Sequence, residues 1–319
     1  MENALSQFKF AQFQFTLKPL ETIHLPTYKG STLRGAFGYA FKRIACVTRE
    51  KDCNSCLLKG KCVYSYVFET PPPPDTTKMR KYPYAPHPFV IIPPLEEKSS
   101  YREDETLCFD LTLIGRSIDY LPYFIYTFEE LGGIGIGKGK GKYQLEEVRC
   151  RGKTKKWEAI YSSKDKILQK SCGEITLKDL ENNLHSSIGN LRLVFLTPTR
   201  LKFDGNLSPN PEFHILLRNL LRRISLLSYF HCGEELNIDF KGLIEQAKGV
   251  QIKRDNLSWF DWERYSNRQE TKMKMGGFVG AITFAGEFEN FLPFLLLGEY
   301  IHVGKGTSFG LGKYEILRD

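Results

Sequence analysis

Apolar residues along this chain follow two periods, and the changes between them mark out the elements. Phe8, Phe10, Phe13 and Phe15 nearly alternate, the period of a half-buried strand, and the slip at Ala11-Gln12 predicts a bulge. Leu33, Phe37, Phe41 and Ile44 then recur at helical spacing, which places them on one stripe. The second half opens the same way. Leu191 to Leu196 reads as a strand, and Phe213, Leu216, Leu217, Leu220, Leu221, Ile224 and Leu227 form one helical face. Phe89 to Ile92 and Leu107 to Ile114 are the predicted middle strands of the first half. In the second half that role falls to Phe278 to Phe284, preceded by Val250 to Ile252 or by the stretch after Leu257.

The two halves are related by a repeat. Sliding the chain by 171 positions aligns residues 110–148 with 281–319 without a gap and yields ten identities in 39 positions. Thr112, Gly115, Leu121-Pro122, Gly133, Gly135, Gly139, Gly141, Lys142 and Tyr143 match Thr283, Gly286, Leu292-Pro293, Gly304, Gly306, Gly310, Gly312, Lys313 and Tyr314. Each copy reads as a strand, a helix started by Leu-Pro, a glycine-rich loop and a closing strand (Tyr143 to Val148; Tyr314 to Leu317). The order β-α-β-β-α-β in both halves predicts an α+β protein made of two tandem ferredoxin-like (RRM-like) domains with a C-terminal glycine-rich loop. The expected boundaries are 1–150 and 188–319, with 151–187 as a basic linker region. Arg149 to Lys156, at its start, carries five basic residues and no acid. Residues 71–94 hold nine of the sixteen prolines and read as an extended inserted loop, ordered if Tyr82, Tyr84 and Phe89 pack.

Composition narrows the class. With 41% hydrophobic and 26% charged residues among 319, disorder, collagen and coiled coil are excluded. No apolar run approaches the roughly 20 residues of a membrane span, and the start does not read as a secretory signal, so the expectation is a cytoplasmic protein with no membrane partner. That compartment governs the eight cysteines, since closely spaced thiols there are more often metal ligands or core residues than disulfides. Cys53-x2-Cys56-x5-Cys62, with Cys46 upstream, could complete a tetrahedral thiolate zinc site of structural role; the competing reading is a loop of reduced thiols. Cys108, Cys150, Cys172 and Cys232 are scattered and read as inert. A formal charge of +8 suggests a polyanionic partner.

Loops with glycine at every second place let backbone N–H groups approach a phosphate, and neighbouring lysines add charge. Neither copy is a P-loop or a dinucleotide fingerprint, because the glycines follow a helix instead of opening one. The plain alternative is a tight helix-to-strand connection. The ending His302-Val303-Gly304-Lys305-Gly306-Thr307-Ser308-Phe309-Gly310-Leu311-Gly312-Lys313-Tyr314, with Leu33-Arg34-Gly35, Ala85-Pro86-His87-Pro88-Phe89 and Arg264-Tyr265-Ser266-x-Arg268-Gln269, resembles the CRISPR-associated RAMP superfamily. Within it the chain is similar to the endoribonucleases that process precursor CRISPR RNA. The resemblance implies binding of CRISPR repeat RNA and cleavage inside each repeat without a metal cofactor. A 2'-hydroxyl would attack the adjacent phosphate to leave a 2',3'-cyclic phosphate and a 5'-hydroxyl. The alternative implied by the same family is a noncatalytic RAMP subunit that holds guide RNA in a CRISPR effector complex, with the other subunits as partners.

Such chemistry calls for a proton acceptor, a proton donor and cationic stabilisation of the phosphorane, and histidine titrates in the right range. Of six histidines, His302 is the first candidate, with Lys305 three places on beside any phosphate held by the loop. His24, followed by Tyr28, is the second, from a region where the family commonly draws catalytic groups; the first helix itself contains no histidine. His87, between two prolines, reads as structural. His214 shares a helical face with Arg218 and Arg222, and His185 and His231 have no local partners that single them out. For RNA contact the candidates are Lys29, Arg34, Lys42, Arg218, Arg222, Arg264, Tyr265, Arg268, Gly304, Gly306, Gly310, Gly312 and Lys313. Gly38, between Arg34 and Lys42 at i+4 spacing, would allow close backbone approach or helix packing.

Overall fold

The computed structural model describes residues 5–153, 155–169, 173–181, 189–266 and 271–317. The chain divides into two compact units, one of Gln7–Ile175 with Leu226–Glu234, the other of Met1–Ser6, Thr176–Ser225 and Glu235–Asp319.

The first unit runs β1 (Lys9–Pro19), β2 (Ile23–His24), α1 (Gly30–Ala45), β3 (Phe89–Ile92), β4 (Ser100–Tyr101), β5 (Leu107–Ile114), α2 (Leu121–Ile134), β6 (Tyr143–Arg151) and β7 (Trp157–Ser162), with β8 (Ile175–Thr176) at its end. Its main sheet is ordered β3-β5-β1-β6-β7, and each of those neighbours is antiparallel. The second contains α3 (Leu177–Glu181), β9 (Asn190–Thr199), the hairpin β10 (Leu201–Phe203) and β11 (Asn206–Ser208), α4 (Phe213–Leu227), α5 (Phe240–Lys248), β12 (Gln251–Phe260), β13 (Glu263–Ser266), β14 (Thr271–Lys274), β15 (Gly277–Ala285), α6 (Leu292–Ile301) and β16 (Tyr314–Leu317). Its main sheet is ordered β12-β15-β9-β16. In both sheets the repeated strands lie in the order second, third, first, fourth, the arrangement that two copies of one βαββαβ pattern produce.

The helices form where the apolar stripes run. Leu33, Phe37 and Phe41 of α1 are fully buried, and Phe37 stacks on Phe41, Phe124 and Phe128 with ring centroids 5.1, 4.7 and 5.4 Å apart. Each such pair contributes about 0.5–1.5 kcal/mol beyond its area burial. Lys42 and Arg43 close α1 with positive charge at the negative end of its dipole. All seven residues of the expected α4 face are buried. Proline stands in the first turn of both α2 and α6, where its missing N–H leaves no bond unmade.

Three expectations need correction. β1 and β5 stay in register through Ala11 and Gln12, and both residues are buried; the sheet is covered on both faces there, so a continuous strand can carry Phe10 and Phe13. The irregularity falls instead at Thr16/Leu17, against β6. The basic stretch read as the start of a linker is an edge hairpin, because β6 runs on to Arg151 and β7 pairs with it from Trp157. Of the three aromatics expected to order the proline tract only Phe89 is buried, while Tyr82 and Tyr84 are exposed. In addition, Cys150, read as inert, is disulfide-bonded.

Candidate nucleic-acid interface

Strand alternation decides which side chain of β2 meets solvent. Ile23 points into the core of the first unit and is fully buried, so His24 one residue on faces outward and is exposed. The first glycine loop sits directly on this strand. Lys138 N donates to the His24 carbonyl at 2.9 Å, and Gly137, at φ 76°, lies so close that a Cβ would overlap that same carbonyl. The crossing bridges Lys138 to His24 and leaves Lys138 and Lys140 exposed, without a carboxylate partner among the described residues. Lys142 is engaged by Glu21 at 3.6 Å. Tyr28 is half-buried, and burial pushes its phenol well above the ordinary range. It stays protonated at working pH.

The neighbouring candidates are less available. Lys29 is fully buried, and its ammonium donates to the carbonyls of Glu96 at 2.6 Å and Thr27 at 3.1 Å, so it braces the entry to α1 and is not open to RNA. Arg34 donates to His87 Nε2 at 2.9 Å and lies over the Phe68 ring at 4.4 Å. Since a guanidinium only donates, His87 must accept at Nε2 and carry its proton on Nδ1, which donates to Thr70 Oγ1 at 2.6 Å. Leu33-Arg34-Gly35 and the His87 motif are thus one internal cluster. Gly38 packs against the Phe68 ring, so its service is to helix packing. Lys42 donates to the Lys51 carbonyl at 2.8 Å.

In the second unit, the C-terminal glycine loop is built differently from the first. α2 continues to Ile134, whereas α6 stops at Ile301, whose aligned position lies inside α2. The segment that follows, from His302 to Lys305, therefore leaves the helix and joins the loop. Lys305 N donates to the Arg200 carbonyl at 3.0 Å, pinning the loop to the end of β9. This brings Lys305 against Lys202 and Arg200: burial, then the charge of Lys202, then that of Arg200 hold the Lys305 ammonium below its ordinary value. Arg200 gives one nitrogen to Met275 Sδ at 3.2 Å and keeps Nε buried without a partner among the described residues. Lys202 and Lys305 are exposed. Three cations drawn together with no carboxylate partner among the described residues make a site that an anion would relieve.

His302, the first candidate for acid–base work, is fully buried. Its Nδ1 donates to the Leu311 carbonyl at 3.2 Å and its Nε2 has no partner among the described residues. Burial, reinforced by Lys313, pushes its pKa down to about 3. An imidazole sealed from solvent cannot reach a scissile phosphate, so the assignment of His302 is corrected to a packing role beneath the loop. Alongside it Arg223 is buried, donates to the Ile301 carbonyl at 2.9 Å and is pushed down to about 9 by desolvation. Because the folded-state pKa of His302 lies below its unfolded value near 6.5, the unfolded chain takes the proton first as pH falls. Its contribution is full above about pH 6.5 and is lost toward pH 3, at up to about 1.4 kcal/mol per pH unit. Urea midpoints measured between pH 6.5 and 5 should fall steeply for the native chain and less steeply for His302→Asn; identical slopes would assign the acid limb to another group.

The loop glycines are largely committed to architecture. Gly310 N donates to Thr307 O at 2.8 Å and Gly312 N to Pro198 O at 3.2 Å, and both residues are buried, so neither N–H is free for a phosphate. That corrects the assignment of Gly310 and Gly312 to RNA contact; Gly304 and Gly306 are only partly covered. Lys313 is half-buried beside Glu315 at 3.9 Å. Arg218 and Arg222 are exposed on α4, and His214 there pairs with Glu212 at 3.0 Å. Arg264 and Tyr265 belong to β13, and Arg268 and His185 lie outside the described residues. His231 is buried between Tyr66, at 3.1 Å, and the Pro86 carbonyl, at 2.8 Å. Among the described histidines only His24 is exposed. No sequence pattern singles out Arg200 or Lys202. Lys138 and Lys140 also escape a search for candidate residues, although the Lys138-Gly139-Lys140-Gly141-Lys142 alternation is a legible signal for both.

Comparison with known proteins agrees with this architecture. A family model described as an N-terminal domain matches residues 8–172, and the model of the CRISPR-associated endoribonuclease Cas6 matches residues 193–314. An uncharacterized protein of Archaeoglobus fulgidus is 24% identical over 305 residues, covering 92% of this chain and 93% of that one. A solved Cas6 product complex shares the fold with TM-score 0.59 at 17% identity, over 97% of this chain and 99% of that chain. Thermus thermophilus Cas6 does so with TM-score 0.56 at 16% identity and the same coverage. The first unit is thus matched by one family model and the glycine-ended second unit by the model of the CRISPR-associated endoribonuclease Cas6, and the solved Cas6 structures share the fold over nearly the whole chain.

Proposed function

We propose that this chain binds CRISPR repeat RNA on two ferredoxin-like units and cuts the precursor within each repeat without a metal cofactor. The observation that carries the reading is His24, an exposed histidine whose backbone is held by the glycine crossing at Lys138, with Lys138 and Lys140 of that crossing exposed and without carboxylate partners among the described residues. In this reading His24 accepts the proton of the 2'-hydroxyl as O2' bonds to phosphorus. The bond from phosphorus to O5' breaks, and a proton reaches O5' from a donor for which the protonated Tyr28 phenol is the candidate. Lys138 and Lys140 stabilise the negative charge that develops on the phosphorane oxygens. The products are a 2',3'-cyclic phosphate and a 5'-hydroxyl, and the reaction consumes no water.

The cations of the second unit fit the role of grip. Lys202, Lys305 and Arg200 would hold backbone phosphates, supplying affinity but no sequence information. Lys202→Ala combined with Lys305→Ala should weaken RNA binding. It should also lower the slope of log affinity against log salt by about 0.7 for each phosphate of single-stranded RNA that is no longer neutralised. A filter-binding series over several salt concentrations reads this directly, and an unchanged slope would remove these residues from the RNA path.

The decisive experiment mixes the purified chain with labelled repeat RNA in EDTA. Cleavage that leaves a cyclic phosphate supports the proposal. Binding without cutting supports the noncatalytic RAMP subunit instead.

A further inference from the structure

Immediately after α1 the chain makes a loop whose cysteines take no part in the RNA chemistry. Cys46, Cys53, Cys56 and Cys62 are all free and half-buried, and all four line a single cavity of roughly 300 Å³ together with Lys59 and Lys61. They are neighbours across that space. The Thr48 hydroxyl lies 3.4 Å from Cys56 Sγ and 3.9 Å from Cys46 Sγ, joining those two thiols through one oxygen. Four free thiols around one cavity are more than packing needs, because a small apolar filler would serve as well.

We propose that Cys46, Cys53, Cys56 and Cys62 bind one zinc ion as a tetrahedral tetrathiolate that staples this loop. The Cys53-x2-Cys56 pair has the spacing of a zinc knuckle, with one further ligand on each side. Zinc suits an all-sulfur, closed, non-redox site, and four thiolates around a divalent ion leave a net charge of −2 that Lys42, Lys59 and Lys61 are placed to offset. Among the described residues no three potential ligands are yet drawn together tightly enough to hold a metal. The proposed event is therefore closure of an open set: four thiols release their protons and the loop contracts around the ion. Coupling of metal binding to local folding is the usual behaviour of small structural sites.

The full-length chain, purified under reducing conditions without chelator, should contain about one zinc per molecule by elemental analysis. Cys53→Ser with Cys56→Ser should reduce the content to background, while Cys108→Ser, which removes a free thiol of the first-unit sheet, should leave it unchanged. Should the double variant fail to fold, cobalt(II) titration of the metal-free native chain decides instead. Sulfur-to-cobalt charge-transfer bands with tetrahedral d–d bands are the expected spectrum. No zinc uptake after reconstitution, a cobalt spectrum without thiolate bands, or iron with visible absorbance in place of zinc would each overturn the assignment. None of these readouts depends on RNA cleavage.

Discussion

Replacing His24 with alanine should lower the single-turnover cleavage rate by about 10²- to 10⁴-fold, the range of a general acid or base, while RNA affinity stays near that of the native chain. The split between the two readouts is what identifies the role. His24 extends outward from β2, whose other residue, Ile23, is fully buried, so truncating the outer side chain leaves the strand's anchor intact. Its backbone carbonyl, which receives Lys138 N at 2.9 Å, also survives the substitution. A drop in rate matched by a drop in affinity would mean that His24 merely touches RNA. An unchanged rate would remove the proposed base altogether and, since His302 is sealed within the second unit, would place the proton acceptor on a group other than these two histidines. His302→Asn should leave the cleavage step itself near native at neutral pH, a comparison that separates the two histidines.

The second large effect concerns the C-terminal loop. Gly312 adopts φ 75°, and a Cβ there would overlap the Val303 carbonyl, whose own residue donates its N–H to Gly312 O at 3.0 Å. Gly139 adopts φ 84° with nothing near its missing Cβ. Both substitutions to alanine force an L side chain into the left-handed region, at about 1–2 kcal/mol. Only Gly312→Ala must also push a backbone segment aside, and its total cost should reach about 3–5 kcal/mol, a size tied to strain and backbone displacement. Chemical denaturation of the two variants isolates the close approach as their difference. Equal costs would show that the loop is not keyed to the Val303 carbonyl. Because that loop also sets Lys305 against Lys202, Gly312→Ala should lower RNA affinity even at temperatures where the chain remains folded.

Sequence periodicity located most of the elements, since burial of one face leaves its mark residue by residue. The α4 face and the strand β15 fall where the apolar pattern puts them, and β12 runs from Gln251 in the first of the two alternative stretches to Phe260 in the second. The duplication likewise required the two sheets to share one strand order. Less of the candidate site could be read. His24 and His302 have similar local contexts, each near glycines and lysines, and nothing in the linear pattern says which is enclosed and which emerges. Lys29 and Arg34 look like free cations until the Glu96 carbonyl and His87, distant in sequence, are brought to them. Lys202 carries no motif at all, and only the bond from Lys305 N to the Arg200 carbonyl places it in a basic cluster.

By itself, then, the order of residues determined the duplicated βαββαβ plan, the two glycine-rich crossings and the family to which they point. Those properties depend on local period and on spacing, both of which are written along the chain. The tertiary structure alone decided that His302 is enclosed and His24 is open, and that Arg200, Lys202 and Lys305 meet. Solvent access and charge proximity are set by what packs against a residue from elsewhere in the chain, and desolvation turns that packing into chemistry.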